Sequence, residues 1–503
     1  MRHWSFEPPR APEAPTVRDA SWPRSDFDRF VLSRLDAAGL KPSPEAPAVV
    51  LLRRACFDLT GLPPTAEQVE AVEKKATANG GRLPDADWSA LVDSLLASPA
   101  FGERWGRHWL DVARYAESTG KERNHTLPEA WRYRDWVVAA LNSDKPYDRF
   151  LQEQVAGDLL AQDAPSAEKP ALQIATGFLA LGPKGLNERR REQFVADVVD
   201  EQIDTVTRSV LGVTVACARC HDHKFDPISQ RDYYALAGIF RSTETCYGTA
   251  GDTQRNRQPS TLIPIPGAPL AERVPLRLPP APARARQAAI RNGQPPAQAR
   301  REAAMATLLE EDHRHTNALA MGVREGRTED AFLLARGEIT QRQGKVPRGF
   351  IPVLHDGSPV RIPRDESGRR QLADWLTAKS NPLTARVAVN RVWQHLFGRG
   401  LVPTGDDFGR NGQPPTHPEL LDHLAVGFME DGWSTKRLIR RLMSSSTYRS
   451  AAAANPAAQE VDPDDTLLWR ARPRRLEAEA LRDALLAAAG TLETDPPRGS
   501  VVA

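Results

Sequence analysis

The sequence predicts a mainly α protein, in which a multi-helix N-terminal domain with an embedded C-x-x-C-H segment is followed by a second, all-α C-terminal domain. Apolar residues recur at three- and four-residue spacing from Asp26 to about Leu160, and this helical spacing returns from Ala385 onward. The chain also contains 42 prolines, more than the usual share of about 5%. Because proline ends helices, we expect many helix stops and long irregular connections.

Individual helix signals support this fold class along both halves of the chain. A first helix begins near Asp26 and is predicted to stop at Gly39. Thr65 and Gln68 have the spacing of a capping box, which predicts another helix directly after them. Further helices are predicted at about 88–96, at 101–117, after Pro128, after Pro146, and at 193–211, 231–240, 387–396, 420–430, 435–443 and 476–489.

Changes in composition divide the chain into four parts. Residues 1–25 are interpreted as a linker from an upstream domain, and residues 26–248 as the N-terminal helical domain. Residues 249–345 begin as a Pro/Ala/Arg-rich linker and are predicted to continue as charged helix to about Asn317. Residues 346–503 form the predicted C-terminal domain. The first 19 residues contain no export signal, so the chain is either cytoplasmic or a fragment whose leader lies upstream, and we expect the fragment.

The charge balance and the cysteine count exclude several classes of protein. The 503 residues include 67 Lys and Arg against 65 Asp and Glu, which gives a formal net charge of +2. Such a balance provides no electrostatic footprint for nucleic acid and no polybasic membrane anchor. No apolar run approaches the roughly 18 residues of a transmembrane helix. Four cysteines in a chain of this length do not make a disulfide scaffold.

The segment Cys217-Ala-Arg-Cys220-His221 has the pattern that attaches c-type haem. Two thiols separated by two residues reach the two vinyl groups on one porphyrin edge, and the next imidazole then lies under the iron as its proximal ligand. With the chain's four cysteines and eleven histidines, we expect the pattern by chance only about 0.001 times. The sequence therefore favours haem c as the cofactor.

Three other metal or redox sites fit parts of this pattern. A structural zinc site would need a fourth ligand, and only Cys56, Cys246 or distant histidines could supply it. A thioredoxin-like dithiol would need a strand before the cysteines, for which residues 213–216 are the candidate. An iron–sulfur cluster would need all four cysteines to converge.

The sixth iron ligand is less well defined by the sequence. His108 lies on an apolar helical stripe and is a candidate distal ligand, although such histidines more often lie in the core. His125 is a second candidate, in a loop. His223 follows His221 too closely to cross to the opposite porphyrin face, so we expect it to form a hydrogen bond or a contact with a ligand. Tyr233, on the aromatic helix after the motif, is a candidate to cover the porphyrin.

Long stretches of the chain resemble two families of unknown function. GVTVACARCHDHKFDPISQRDYYALAGIF, RWGRHWLDVARYAES and LRRACFDLTGLPPT resemble DUF1549, a planctomycete family that occurs downstream of a cytochrome c domain. NPLTARVAVNRVWQHLFGRGLVPTGDDFGRNGQPPTHPELLDHLA resembles its companion, DUF1553. The resemblance implies an exported bacterial protein of the periplasm or cell surface, with Cys217, Cys220 and His221 as its haem motif. It also implies truncation, because the companion family normally continues past Gly490.

Three functions follow as hypotheses. The first is a c-type haem protein of the bacterial cell envelope that exchanges electrons with a cytochrome c domain or another redox partner. The second is a zinc-stabilised helical hydrolase or glycan-processing protein that uses groups around Arg107, His108 and Asp111. The third is a surface interaction module with a ligand patch at Asn390, Arg391 and Trp393, which share one predicted helix.

Overall fold

The computed structural model describes residues 3–121, 124–249, 256–265, 318–354, 361–495 and 499–500. Its architecture is mainly α, as the sequence predicts. The helices of the N-terminal half are α1 (Asp26–Ala37), α2 (Ala48–Thr60), α3 (Ala66–Ala78), α4 (Asp85–Ala97), α5 (Pro99–Val112), α6 (Trp131–Asn142), α7 (Tyr147–Asp163), α8 (Lys169–Ala175), α9 (Gly177–Ala180), α10 (Arg191–Val206) and α11 (Gln230–Arg241).

Local sequence signals explain where several of these helices begin and end. The Thr65 hydroxyl accepts a hydrogen bond from the Gln68 backbone, and the Gln68 side chain accepts one from the Thr65 backbone, so the predicted capping box is confirmed. Helix α2 ends at Gly61, whose φ of +72° lies in the left-handed region that glycine adopts without a Cβ clash. Helix α5 ends earlier than predicted, and Arg114 adopts a positive φ of 56° two residues after its end.

The middle of the chain contains short strands that the sequence did not predict. They are β1 (Thr243–Cys246), β2 (Ile263–Ile265), β3 (Ala318–Ala320), β4 (Gly322–Glu325), β5 (Ala331–Leu334) and β6 (Arg342–Val346). They form three antiparallel pairs, β1 with β4, β2 with β3 and β5 with β6. The sequence predicted a Pro/Ala/Arg-rich linker and a charged helical segment for 249–345, and this prediction is wrong where the structure places β2, β3, β4, β5 and the start of β6. The predicted charged helix up to Asn317 lies outside the described residues.

Helices return in the C-terminal half. They are α12 (Arg369–Thr377), α13 (Thr384–Phe397), α14 (Pro418–Glu430), α15 (Thr435–Met443), α16 (Ser446–Arg449), α17 (Pro456–Val461) and α18 (Ala478–Ala488). The start of α14 illustrates the sequence logic, because Pro418 occupies a first-turn position where a missing backbone N–H costs nothing.

The two halves share one hydrophobic core. Trp88 on α4 donates its indole N–H to the backbone oxygen of Met443, 3.0 Å away, at the end of α15. Phe27 on α1 packs edge-on against Trp393 on α13, with ring centroids 6.2 Å apart. Phe6 is also buried in this core, so the N-terminal segment that precedes α1 packs onto the rest of the chain.

A buried ion pair links the core of both halves as well. Arg369 at the start of α12 is fully buried, and its guanidinium donates to both carboxylate oxygens of Asp158 on α7, at 2.6 and 2.7 Å. Glu325 on β4 accepts a further hydrogen bond at 3.0 Å. A bidentate pair of this kind offsets the cost of removing the guanidinium from water, and it fixes α12 against α7.

Candidate functional site

The C-x-x-C-H segment lies on an exposed turn between α10 and α11. After α10 the backbone continues as a π-helical turn to Leu211, and Gly212 then adopts a left-handed conformation with φ +59°. A Cβ atom at Gly212 would lie 2.8 Å from a ring carbon of Phe408, so a glycine is needed where the turn meets the C-terminal half. The chain then forms a 3-10 turn over Val215–Arg219.

This 3-10 turn places both thiols toward solvent. Cys217 lies in the turn and Cys220 caps it, and residues three apart eclipse one another in 3-10 geometry. Both cysteines are free and exposed, whereas Val215, two residues before Cys217, and Ala218, between the two cysteines, are buried. Because 213–216 forms no strand, the strand expected before a thioredoxin-like dithiol is wrong.

The His221 ring is held by its own loop. The ring is exposed, and its Nδ1 lies 2.7 Å from the backbone oxygen of Asp222. A carbonyl oxygen only accepts, so Nδ1 is the donor, and in the neutral ring the lone pair is then on Nε2. The Asp222 carboxylate accepts a hydrogen bond from the backbone of Gln230, 2.8 Å away, which ties the loop to the start of α11. The imidazole thus has the tautomer that metal-binding histidines use.

His223 points inward and holds the loop from below. Its Nε2 lies 3.0 Å from the Thr214 hydroxyl, and its Nδ1 accepts the backbone N–H of Asp226 at 2.9 Å. Asp226 is buried, and one carboxylate oxygen accepts the backbone N–H of Arg410 at 2.8 Å. At Gly409 a Cβ atom would lie 2.2 Å from the other oxygen. The hydrogen-bonding role expected of His223 is therefore what the structure shows.

The backbone of the turn is also fixed by a polar network beneath it. The Arg219 guanidinium contacts the carboxylates of Asp197 at 3.0 Å and Asp200 at 3.2 Å. Tyr233 is buried and donates to Asp200 at 2.6 Å, and Tyr234 donates to the Arg219 backbone oxygen at 3.0 Å. Burial, together with Asp200, raises the pKa of Tyr233 well above its ordinary value. Tyr233 is thus anchored below the motif, and its contact with a porphyrin stays a prediction.

A turn between β5 and β6 touches the motif from the side. Arg336 and Gly337 both adopt positive φ angles, 54° and 73°. A Cβ atom at Gly337 would lie 2.9 Å from the Cys220 sulfur, so the glycine lets this turn approach the thiol. No sequence signal predicts this contact, because it joins the motif to a turn of a hairpin that the sequence did not predict.

His108 lies in the interface between α5 and α13. Its ring stacks on His395 with centroids 3.6 Å apart and packs edge-on against Trp105. Burial lowers the pKa of His108 far below its ordinary value, and His395 and nearby arginines act in the same direction. The imidazole is therefore neutral at physiological pH, as a ligand requires, although its observed contacts are with other core rings. Its role as distal ligand stays a prediction.

The remaining cysteines do not complete a zinc site around the motif. Cys56 and Cys246 are both buried, and burial raises the pKa of the Cys56 thiol to about 11. Within the described ranges, no three His, Cys, Asp or Glu side chains converge in a way that could hold a metal ion. A haem site does not require such a cluster, because one imidazole and two thioethers attach the group.

The residues proposed for a hydrolase and for an interaction module lie outside the C-x-x-C-H loop, each set in its own environment. Arg107 and Asp111 form an exposed ion pair at 3.1 Å, while His108 faces the core. On α13, Asn390 is fully buried, and its amide exchanges two hydrogen bonds with the backbone of Val402. Trp393 is fully buried as well. Asn390 and Trp393 therefore pack the core and do not form a surface patch.

Two family models match the chain. The model PSCyt2, described as a protein of unknown function (DUF1549), matches residues 26–245 and includes the C-x-x-C-H segment. The model PSD1, described as a protein of unknown function (DUF1553), matches residues 368–502. No curated protein and no solved structure matches the chain. Among the helices that the structure describes, none has both the length and the apolar composition to cross a membrane. The chain therefore combines a segment that matches DUF1549 with a segment that matches DUF1553, both described as proteins of unknown function.

Proposed function

We propose that this protein binds haem c covalently at Cys217, Cys220 and His221 and exchanges electrons with a cytochrome c domain or another redox partner. The observation that carries the proposal is that the His221 ring and the two free thiols are all exposed at the C-x-x-C-H spacing, with His221 Nδ1 2.7 Å from the Asp222 backbone oxygen. When bound, the haem would supply a one-electron redox couple.

The surroundings of the motif support haem attachment, because they hold the turn in place instead of leaving it as a flexible loop. Hydrogen bonds on the inner side of the turn hold it in place, and they involve His223, Asp226, Arg219 and the start of α11. The outer side carries the two thiols and the imidazole. Because the three reacting groups are exposed and the backbone of the turn is held by hydrogen bonds, little backbone entropy would be lost on attachment. Haem attachment of this kind takes place outside the cytoplasm, so the proposal places the protein in the bacterial periplasm or at the cell surface.

Expression with a periplasmic leader and cytochrome-maturation proteins tests this assignment. We expect haem absorption that stays with the denatured polypeptide in the wild type and is lost in the double variant Cys217→Ala, Cys220→Ala. Cys246→Ala, at a buried cysteine outside the motif, is the matched control and should keep the haem. The variant His221→Ala should keep the covalent haem through the thioethers and change the visible spectrum, because the iron loses its proximal nitrogen.

The same material separates haem from its alternatives. Metal analysis should give about one iron per chain. Zinc in place of iron would overturn the haem assignment in favour of a zinc site. A mass lower by two hydrogen atoms that reverts on reduction would instead identify a Cys217–Cys220 disulfide. Equal haem content in the wild type and the double cysteine variant would also contradict the proposal.

A further inference from the structure

A half-open cavity lies between α10 and the strand β1, and its described lining contains no residue of the C-x-x-C-H segment. Its volume is about 610 Å³, within the range of roughly 300–1,000 Å³ that small-molecule sites occupy. One part of the lining is apolar and includes Phe194, Val195, Val198 and Phe240. Another part is polar and includes Thr243, Thr245, Ser260 and Thr261. A ligand for this space therefore needs an apolar group beside hydrogen-bonding groups.

The backbone of β1 contributes hydrogen-bonding groups on this polar side. Thr245 lies opposite Val323 in the antiparallel pair of β1 with β4. The Val323 N–H donates to the Thr176 hydroxyl at 3.1 Å, and its carbonyl oxygen accepts from the Gln173 side chain at 3.1 Å. Both groups therefore face away from β1. Because opposite residues of such a ladder exchange either both of their backbone hydrogen bonds or none, the Thr245 backbone faces away from β4.

Only part of this outer edge of β1 is occupied. Gly326 donates its N–H to the Ser242 oxygen at 2.9 Å, so the backbone of Ser242 faces the β4 side. By alternation, Thr243 faces outward as Thr245 does. The Ser260 hydroxyl donates to the Thr245 oxygen at 3.0 Å. In the described segments of the chain, no hydrogen bond engages the Thr245 N–H or the Thr243 oxygen, which are the groups that an added strand would pair with.

Arg191 gives the cavity a positive charge. It lies exposed at the start of α10, and its guanidinium donates to the side-chain oxygen of Gln258 at 2.9 Å. Among the residues that the structure describes, no carboxylate forms an ion pair with it. Glu244 is the carboxylate of the lining, and both of its oxygens already accept hydrogen bonds from the Arg324 guanidinium, at 2.8 and 2.9 Å. A carboxylate on a ligand would therefore find its charged partner in Arg191.

We propose that this cavity binds the C-terminal end of an extended peptide. The peptide would add to the outer edge of β1, donating one backbone N–H to the Thr243 oxygen and accepting the Thr245 N–H. Its terminal carboxylate would bind Arg191, and an apolar side chain would pack against Phe194 and Val198. A fatty acid would leave the edge of β1 unpaired, and a sugar would leave the apolar lining without a partner. This site is independent of the haem proposal, which involves no peptide.

Fluorescence anisotropy of the full chain with a labelled tetrapeptide, Ala-Thr-Ala-Val with a free carboxyl terminus, tests the proposal. We expect this acid to bind roughly tenfold more tightly than the same peptide with a C-terminal amide, because the amide lacks the charge that pairs with Arg191. A peptide methylated at its internal backbone nitrogens should bind roughly fivefold more weakly, because it cannot donate to the Thr243 oxygen. Octanoate, which has a carboxylate and an apolar chain but no peptide groups, should compete roughly tenfold more weakly than the unlabelled acid.

These comparisons use the wild type and can each overturn the proposal. Equal affinity for the acid and the amide would contradict the role of Arg191, and equal affinity for the methylated peptide would contradict strand addition. Competition by octanoate as strong as that of the peptide would indicate a fatty-acid site instead. The absence of binding by the acid at millimolar concentration would contradict the peptide site altogether.

Two glutamine variants locate the carboxylate. Arg191→Gln should remove the preference for the acid over the amide. Arg190→Gln, at the neighbouring exposed arginine outside the cavity lining, is the matched control and should keep this preference. Circular dichroism checks that both variants are folded. If a folded Arg191→Gln variant discriminated between acid and amide as the wild type does, the carboxylate would bind elsewhere and the assignment would be wrong.

Discussion

Replacing His395 by phenylalanine is expected to make the folded protein less sensitive to acid. His395 is half-buried and stacks on His108 between α5 and α13, with ring centroids 3.6 Å apart. Burial lowers the pKa of His395 from its ordinary 6.5 to about 4, Arg104 acts in the same direction, and Glu477 opposes it. Phenylalanine keeps a ring in the stack and cannot take up a proton.

The magnitude follows from the difference between the folded and unfolded pKa. Between pH 6.5 and pH 4 the unfolded chain protonates this imidazole and the folded protein does not. The contribution of His395 to stability is therefore fully present above pH 6.5 and is lost as the pH falls toward 4. At 1.36 kcal/mol for each pKa unit, the loss reaches about 3 kcal/mol. His108, whose pKa burial also lowers, adds a loss of the same sign.

Urea unfolding at a series of pH values between about 7 and 4.5 measures this effect, since the slope of stability against pH reports the proton uptake on unfolding. His395→Phe should lose less stability over this interval than the wild type, by about 2 kcal/mol at its lower end. Phe397→Leu, a substitution on the same helix that removes no titrating group, should follow the slope of the wild type. If His395→Phe and the wild type had the same slope, the imidazole would not be neutral in the folded interface.

The remaining predictions concern contacts between the two halves of the chain. Gly409→Ala should destabilise the protein by about 1–3 kcal/mol, because its Cβ would clash with the buried Asp226 carboxylate, and this loss should be seen as a lower thermal midpoint. Gly185→Ala, where a Cβ atom meets open space, should not share this loss, and equal midpoints for the two variants would contradict the packing. Asp158→Asn should destabilise the chain by about 3 kcal/mol in urea unfolding, because Arg369 loses its bidentate partner. A loss below about 1 kcal/mol would mean that Glu325 alone neutralises the guanidinium.

The helices could be predicted because their signals are local. The capping box at Thr65 and the glycine stop at Gly39 involve neighbouring residues, and an apolar stripe repeats within each helix. The strands could not be predicted from the same information. Each has only three to five residues, which is too short for an alternating pattern, and β1 pairs with β4 across the linker region.

The candidate site likewise has one part that the sequence predicts and another part that it does not. Cys217, Cys220 and His221 could be found because the chemistry of attachment requires them at fixed spacing within five residues. The contact of Gly337 with Cys220 depends on a turn from another part of the chain. The stacking of His108 on His395 likewise joins two helices from the two halves. Its residue type and its place on an apolar helical stripe marked His108 as a candidate ligand, and only its packing shows which group the ring contacts.

The contacts of the motif also explain why a second helical domain would accompany it. Gly212, at the start of the turn, accepts Phe408 against its backbone, and its carbonyl oxygen accepts the Phe408 N–H at 2.7 Å. Asp226, at the end of the loop, is paired with the backbone of Arg410. The segment around Phe408 and Arg410 thus touches the C-x-x-C-H loop on both of its flanks. Without this segment, the Asp226 carboxylate and the Gly212 turn would be exposed to water and would lose these two hydrogen bonds. The C-terminal domain is therefore a structural part of the site, although it supplies none of the three groups that would attach the haem.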